Sequence, residues 1–140
     1  MTPKDKKSGA ERRRFARFAP DKYRAVVKKK GLIGATISET LVDLSEGGAQ
    51  FISPEPVKQG TKVKVSVHMD KFGDTVGAEG QVLWVRQQTT ARGERWRCGI
   101  LFTDLDEDAR RKLSNNASWF TSEVYLARKR QREREALGFS

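Results

Sequence analysis

Asp43-Leu44-Ser45-Glu46-Gly47-Gly48 separates two β-prone runs, Ile37-Ser38-Glu39-Thr40-Leu41-Val42 before it and Ala49-Gln50-Phe51-Ile52 after it. Asp and Ser side chains accept from nearby backbone N–H groups, and glycine supplies the positive φ that tight turns often need, so the segment reads first as a turn. The same rhythm of short β-prone runs and polar turns recurs along the chain. The runs are Tyr23 to Lys28, about Ala35 to Val42, Ala49 to Ser53, Thr61 to Met69, Thr75 to Gln87 and Glu94 to Phe102. In the fourth, Val63, Val65, Val67 and Met69 alternate with Lys62, Lys64, Ser66 and His68, which predicts a half-buried strand. Gly77 and Gly80 mark a bend or bulge in the fifth. Six such runs predict a mostly β fold, a small antiparallel barrel or sandwich.

Helix signals begin only after the last run. Asp104 or Asp106 is placed to cap a short helix with Glu107 and Asp108 in its first turn. Asn115 or Asn116 is placed to cap a second, from Ala117 to about Ala136, with Trp119, Phe120, Val124 and Ala127 as its apolar stripe and an almost wholly charged end. Residues 1–19 carry seven Lys and Arg and almost no aliphatic side chain, which predicts a flexible arm. The expected division is thus a basic arm over 1–19, a β domain over 20–115 and a charged helix or tail over 116–140.

The chain has 140 residues with 28 Lys and Arg against 18 Asp and Glu, a net charge of +10 that favours anionic partners. One cysteine and one histidine rule out an intrachain disulfide, a cysteine-based zinc cluster and an all-histidine metal site. No apolar run approaches a membrane span, and the basic start has no apolar stretch behind it, so a soluble cytoplasmic protein is expected. Neither a nucleophile–base pair nor a phosphate-transfer loop is visible, so an enzyme is not expected.

Upstream of the turn stands Glu11-Arg12-Arg13-Arg14-Phe15-Ala16-Arg17. Arg12, Arg13 and Arg17 form an RRxxxR pattern, and Asp43, Ser45 and Gly48 a DxSxxG pattern. That pair, in that order, resembles the PilZ domain family, whose members commonly bind cyclic di-GMP. The runs Gln81 to Val85 and Cys98 to Phe102 resemble the family's last two strands, and the likeness, which covers about residues 11 to 115, implies a small six-stranded antiparallel β-barrel over 20–115. It implies that Arg12, Arg13 and Arg17 grip phosphate and guanine, a task suited to the planar guanidinium fork. It further implies that Asp43 and Ser45 hydrogen-bond a guanine edge, that Gly48 permits close backbone approach, and that one nucleotide or a stacked pair binds per site. Trp84 is a candidate to stack on a purine and Arg86, two residues on, to reach a phosphate. The bland readings are a solvated basic tail and an ordinary capped hairpin turn. The implied function is a receptor that relays the nucleotide to a protein partner as the arm orders. The runners-up are a basic nucleic-acid binder, supported by charge alone, and an adaptor of the same fold that binds no nucleotide.

Overall fold

The computed structural model describes residues 15–31 and 34–138. Seven strands form one antiparallel sheet: β1 Tyr23–Lys29, β2 Thr36–Ser38, β3 Thr40–Leu44, β4 Gly48–Ser53, β5 Lys62–Met69, β6 Asp74–Thr90 and β7 Gly93–Asp104. Two helices follow, α1 Glu107–Phe120 and α2 Glu123–Ala136. The sheet order is β2-β1-β5-β6-β7-β4-β3. Its two outermost strands, β2 and β3, are joined through Glu39 alone, so the sheet must curl until its ends meet. This is the expected small antiparallel barrel. It has seven strands rather than six, because the run from Ala35 to Val42 turns at Glu39 and serves both ends of the sheet.

Side chains cover the seam. The Tyr23 hydroxyl donates to the Leu41 carbonyl at 3.2 Å and accepts from the Leu41 N–H at 3.1 Å. Ser38 donates to the Ile52 carbonyl, and the Ser53 hydroxyl lies 3.2 Å from the Ile37 carbonyl oxygen.

The interior follows from the period-two pattern. Val63, Val65, Val67 and Met69 of β5 are all buried, as their alternation predicts, and meet Val27, Phe51, Val82 and Ile100 from the curled sheet. Cys98 is part of this core; it donates to the Phe51 carbonyl, and burial pushes its thiol up to about 11. Helix α1 lays Ala109, Leu113, Asn116, Ala117 and Phe120 against the sheet, a stripe of helical period. Asp106 caps it by accepting from the Ala109 N–H at 2.7 Å.

The helix boundary differs from the expected one. Asn115 and Asn116 start no helix: α1 runs through them, and buried Asn116 donates to Asp74 at 3.0 Å and to the Lys112 carbonyl at 2.8 Å. The break falls at Thr121 and Ser122, where Ser122 caps α2 by accepting from the Tyr125 N–H at 3.2 Å. Trp119 and Phe120 therefore belong to α1, and Val124 is exposed. Burial of Asn116 against the sheet outweighs its capping preference.

Phe18, which the sequence leaves within the basic arm, is a core residue. Its backbone makes a bridge to Leu44, with N–H···O bonds of 2.9 and 2.8 Å. Its ring stacks on Phe120 at 5.8 Å between centroids, and Phe120 meets Tyr125 edge-on at 5.0 Å.

Candidate functional site: a transverse row across four strands

Residues directly opposite one another in an antiparallel pair share a face of the sheet. Asp43 lies opposite Gln50, Gln50 opposite Gly99, and Gly99 opposite Trp84. These four make one row across β3, β4, β7 and β6, on the outer face, since their neighbours Ala49, Cys98 and Ile100 point into the core. Three strand spacings of about 4.8 Å put Asp43 and Trp84 roughly 14 Å apart. A second row beside it places Arg97 opposite Arg86.

Local chemistry fixes each member. Phe18's bridge to Leu44 holds the preceding Arg17 beside the following turn, where its Nη1 donates to Asp43 Oδ1 at 2.8 Å. Ser45 is buried and organises the turn, its hydroxyl accepting from the Gly47 N–H at 3.1 Å and its N–H donating to the Gly48 carbonyl at 2.9 Å. At Gly48 a Cβ would stand 2.0 Å from the Ile100 carbonyl oxygen, so only glycine lets β4 pair with β7 here. The close approach seen at Gly48 is therefore to the neighbouring strand.

At the far end, a Cβ on Gly99 would stand 2.2 Å from Trp84 Nε1: the indole lies across this glycine, on the sheet. A register shift between Val82 and Trp84 inserts Leu83 as a bulge and turns Trp84 to the outer face while Val82 stays buried. The Arg86 guanidinium lies 5.2 Å from the indole centroid, within cation–π range. Arg97 Nε donates to Gln50 Oε1 at 2.8 Å, which steers that guanidinium along the same face. A cleft of about 430 Å³ opens here, lined by Phe15, Arg17, Ser45, Gly48, Trp84, Gly99 and, from α1, Arg110.

Of the residues expected from sequence, Arg17, Asp43, Ser45 and Gly48 come together at one end of this surface, and Trp84 with Arg86 at the other. Arg12 and Arg13 lie outside the described residues. Sequence reasoning missed Gln50, Arg97, Gly99 and Arg110. The alternation of β7 puts Arg97 on the face away from Cys98, but only the strand order tells that this face is the one facing Asp43. Among the described residues, no group of three or more His, Cys, Asp or Glu is placed to hold a metal ion, and no helix is long and apolar enough to cross a membrane.

A small curled antiparallel sheet, closed at one end by a helix and bearing an arginine–carboxylate pair and an indole on its outer face, defines a narrow class of β-barrel module. The PilZ domain matches residues 11–117, and the chain belongs to that family. Among solved structures, it is similar to the PilZ domain with c-di-GMP of YcgR from Escherichia coli. The TM-score is 0.56 and the identity 20%, covering 89% of this chain and 97% of that one. It is also similar to the K. pneumonia MrkH–c-di-GMP complex (TM-score 0.61, 16% identity, 84% of this chain and 54% of that one). A third likeness is to the inhibitor of motility MotI/DgrA of Bacillus subtilis (TM-score 0.57, 11% identity, 76% of this chain and 49% of that one). The chain thus spans nearly all of the YcgR PilZ-domain chain but only about half of the MrkH and MotI/DgrA chains. No curated protein matches it.

Proposed function

We propose that this protein is a receptor for cyclic di-GMP, binding it across the row from Asp43 to Trp84. The observation that carries the reading is the Arg17–Asp43 pair at 2.8 Å, held beside a buried serine turn, with an indole laid over Gly99 at the other end. The N1–H and N2–H donors of guanine match the two oxygens of the Asp43 carboxylate, which Arg17 orients from one side. Arg17, with Arg12 and Arg13 from the same segment, supplies planar donors for the phosphates and for guanine O6 and N7. Trp84 offers a face for a second base, and Arg86 and Arg97 put positive charge beside it. The protein binds and releases the nucleotide unchanged, in a bacterial cytoplasm. It passes the signal to a protein partner as Arg12, Arg13 and Arg17 are drawn onto the phosphates. The likeness to YcgR and MrkH, both solved with c-di-GMP, supports this reading.

Calorimetric titration tests it. Saturable, stoichiometric binding of cyclic di-GMP is expected, with cyclic di-AMP far weaker because adenine lacks the donors that Asp43 accepts and the unmatched polar groups are penalised. Arg17→Ala and Asp43→Ala should each weaken binding by about tenfold or more, the effect of losing a charge-assisted hydrogen bond. Equal affinity for the two dinucleotides would defeat the proposal.

A further inference from the structure

Away from the cleft, Trp119 at the end of α1 divides two grooves. One, of about 700 Å³, lies between α2 and the segment leading into β1. The other, of about 560 Å³, opens towards the β5–β6 turn and is lined by Phe72 and Val124, which are 51% and 54% exposed. The Lys71 ammonium stands 4.0 Å from the Trp119 centroid and 5.7 Å from that of Phe72, and the Arg128 guanidinium 5.8 Å from Trp119. The indole is thus set between two cations and beside open apolar surface. Helix α2 buries only Tyr125, and from Arg128 to Ala136 it carries five basic and two acidic residues, all exposed.

Positive charge and apolar surface together suit several anionic partners, but the lining narrows them. Asp70 and Glu135 line one groove and Asp74 the other. A uniformly anionic polymer or bilayer would bring like charge against these carboxylates, an arrangement that selects against such partners. Two concavities flanking one ring also receive protruding side chains better than a flat surface does.

We propose that the Trp119 elbow is the docking surface for a protein segment of mixed, predominantly acidic charge. The segment inserts an aliphatic or aromatic side chain beside Trp119 and pairs its carboxylates with Lys71 and Arg128. The surface is joined to the cleft, because Phe120 stacks on Phe18, the neighbour of Arg17. That this junction reports nucleotide occupancy rests on the receptor reading; the docking surface itself does not.

A phage-displayed library of random peptides, panned against the full chain, tests the proposal. The selected peptides should carry Asp and Glu around a large apolar residue. Their affinity should fall about tenfold or more on Trp119→Ala or on Lys71→Glu, a substitution at an exposed position, and hold on Arg92→Glu at the distant β6–β7 turn. Cyclic di-GMP titration and thermal melting of each variant separate loss of docking from loss of fold. If no peptide is selected, or if Lys71→Glu and Arg92→Glu weaken binding equally, the surface is only a charged face and the proposal fails. It also fails if a single-stranded oligonucleotide or phosphatidylglycerol vesicles bind in a Trp119-dependent manner and peptides do not. Peptide docking without any cyclic di-GMP binding would remove the receptor reading and leave this one standing.

Discussion

Two glycines of the outer face show how differently the same residue type serves the site. Gly48 touches backbone: its missing Cβ leaves room for the Ile100 carbonyl, which cannot withdraw without unpairing β4 from β7. Gly48→Ala should therefore cost stability, about 1–3 kcal/mol as for other overpacked positions, visible as a lower melting temperature. Gly99 touches a side chain, the Trp84 indole, which can swing away. Gly99→Ala should leave the melting temperature nearly unchanged, shift tryptophan emission and weaken cyclic di-GMP binding. Unchanged binding in a folded Gly99→Ala protein would show that Trp84 does not stack on the nucleotide. The DxSxxG stretch was legible in the sequence because it is local: spacing alone brings Asp43, Ser45 and Gly48 together at one hairpin. Gln50, Arg97 and Gly99 were not, since their place beside Asp43 depends on which strands pair and in which register.

Among elements, the segment from Arg17 to Asp21 ties the cleft to both helices. Arg17 meets Asp43, Phe18 stacks on Phe120, and Asp21 accepts from Tyr125 and from Arg132, the latter at 3.1 Å. Phe18→Ala should cost about 3–5 kcal/mol, the usual loss for a large buried aromatic, and raise amide exchange across α2. Burial pushes the Asp21 carboxyl up, but the hydrogen bonds from Tyr125 and Arg132 outweigh it and hold it below its ordinary value. A depressed acid stabilises the folded state above its unfolded pKa, and that contribution is lost as pH falls through the folded value. The docking of α2 should accordingly loosen on acidification below the ordinary carboxylate range, read as rising exchange over 123–136. Asp21→Asn should lack that acid step; a variant that retains it would place the titrating group elsewhere. The strands were readable because β5 alternates so cleanly. The break between the helices was not, because Asn116 is a good cap by type and a buried residue by context.

At the scale of the whole molecule, a net charge of +10 is field rather than recognition. Arg134 is exposed on α2, and exposed charges beyond about 8 Å are screened at physiological salt. Arg134→Gln should leave the affinity for cyclic di-GMP almost unchanged, whereas an effect equal to that of Arg17→Ala would mean that charge alone binds the nucleotide. Composition points towards anionic partners but not to where they would bind, because only the curled sheet decides which few of the 28 basic side chains converge. The seam of that sheet has a consequence for solubility. Unpaired strand edges template the addition of strands from other molecules. Here the outer edge of β3 is occupied at Leu41 by the Tyr23 hydroxyl and at Leu44 by Phe18, and the Ile37 carbonyl of β2 has the Ser53 hydroxyl beside it. The protein is thereby guarded against edge-to-edge aggregation. Tyr23→Phe, which keeps the ring and removes the plug, should aggregate at lower concentration than the parent while folding to the same far-ultraviolet spectrum.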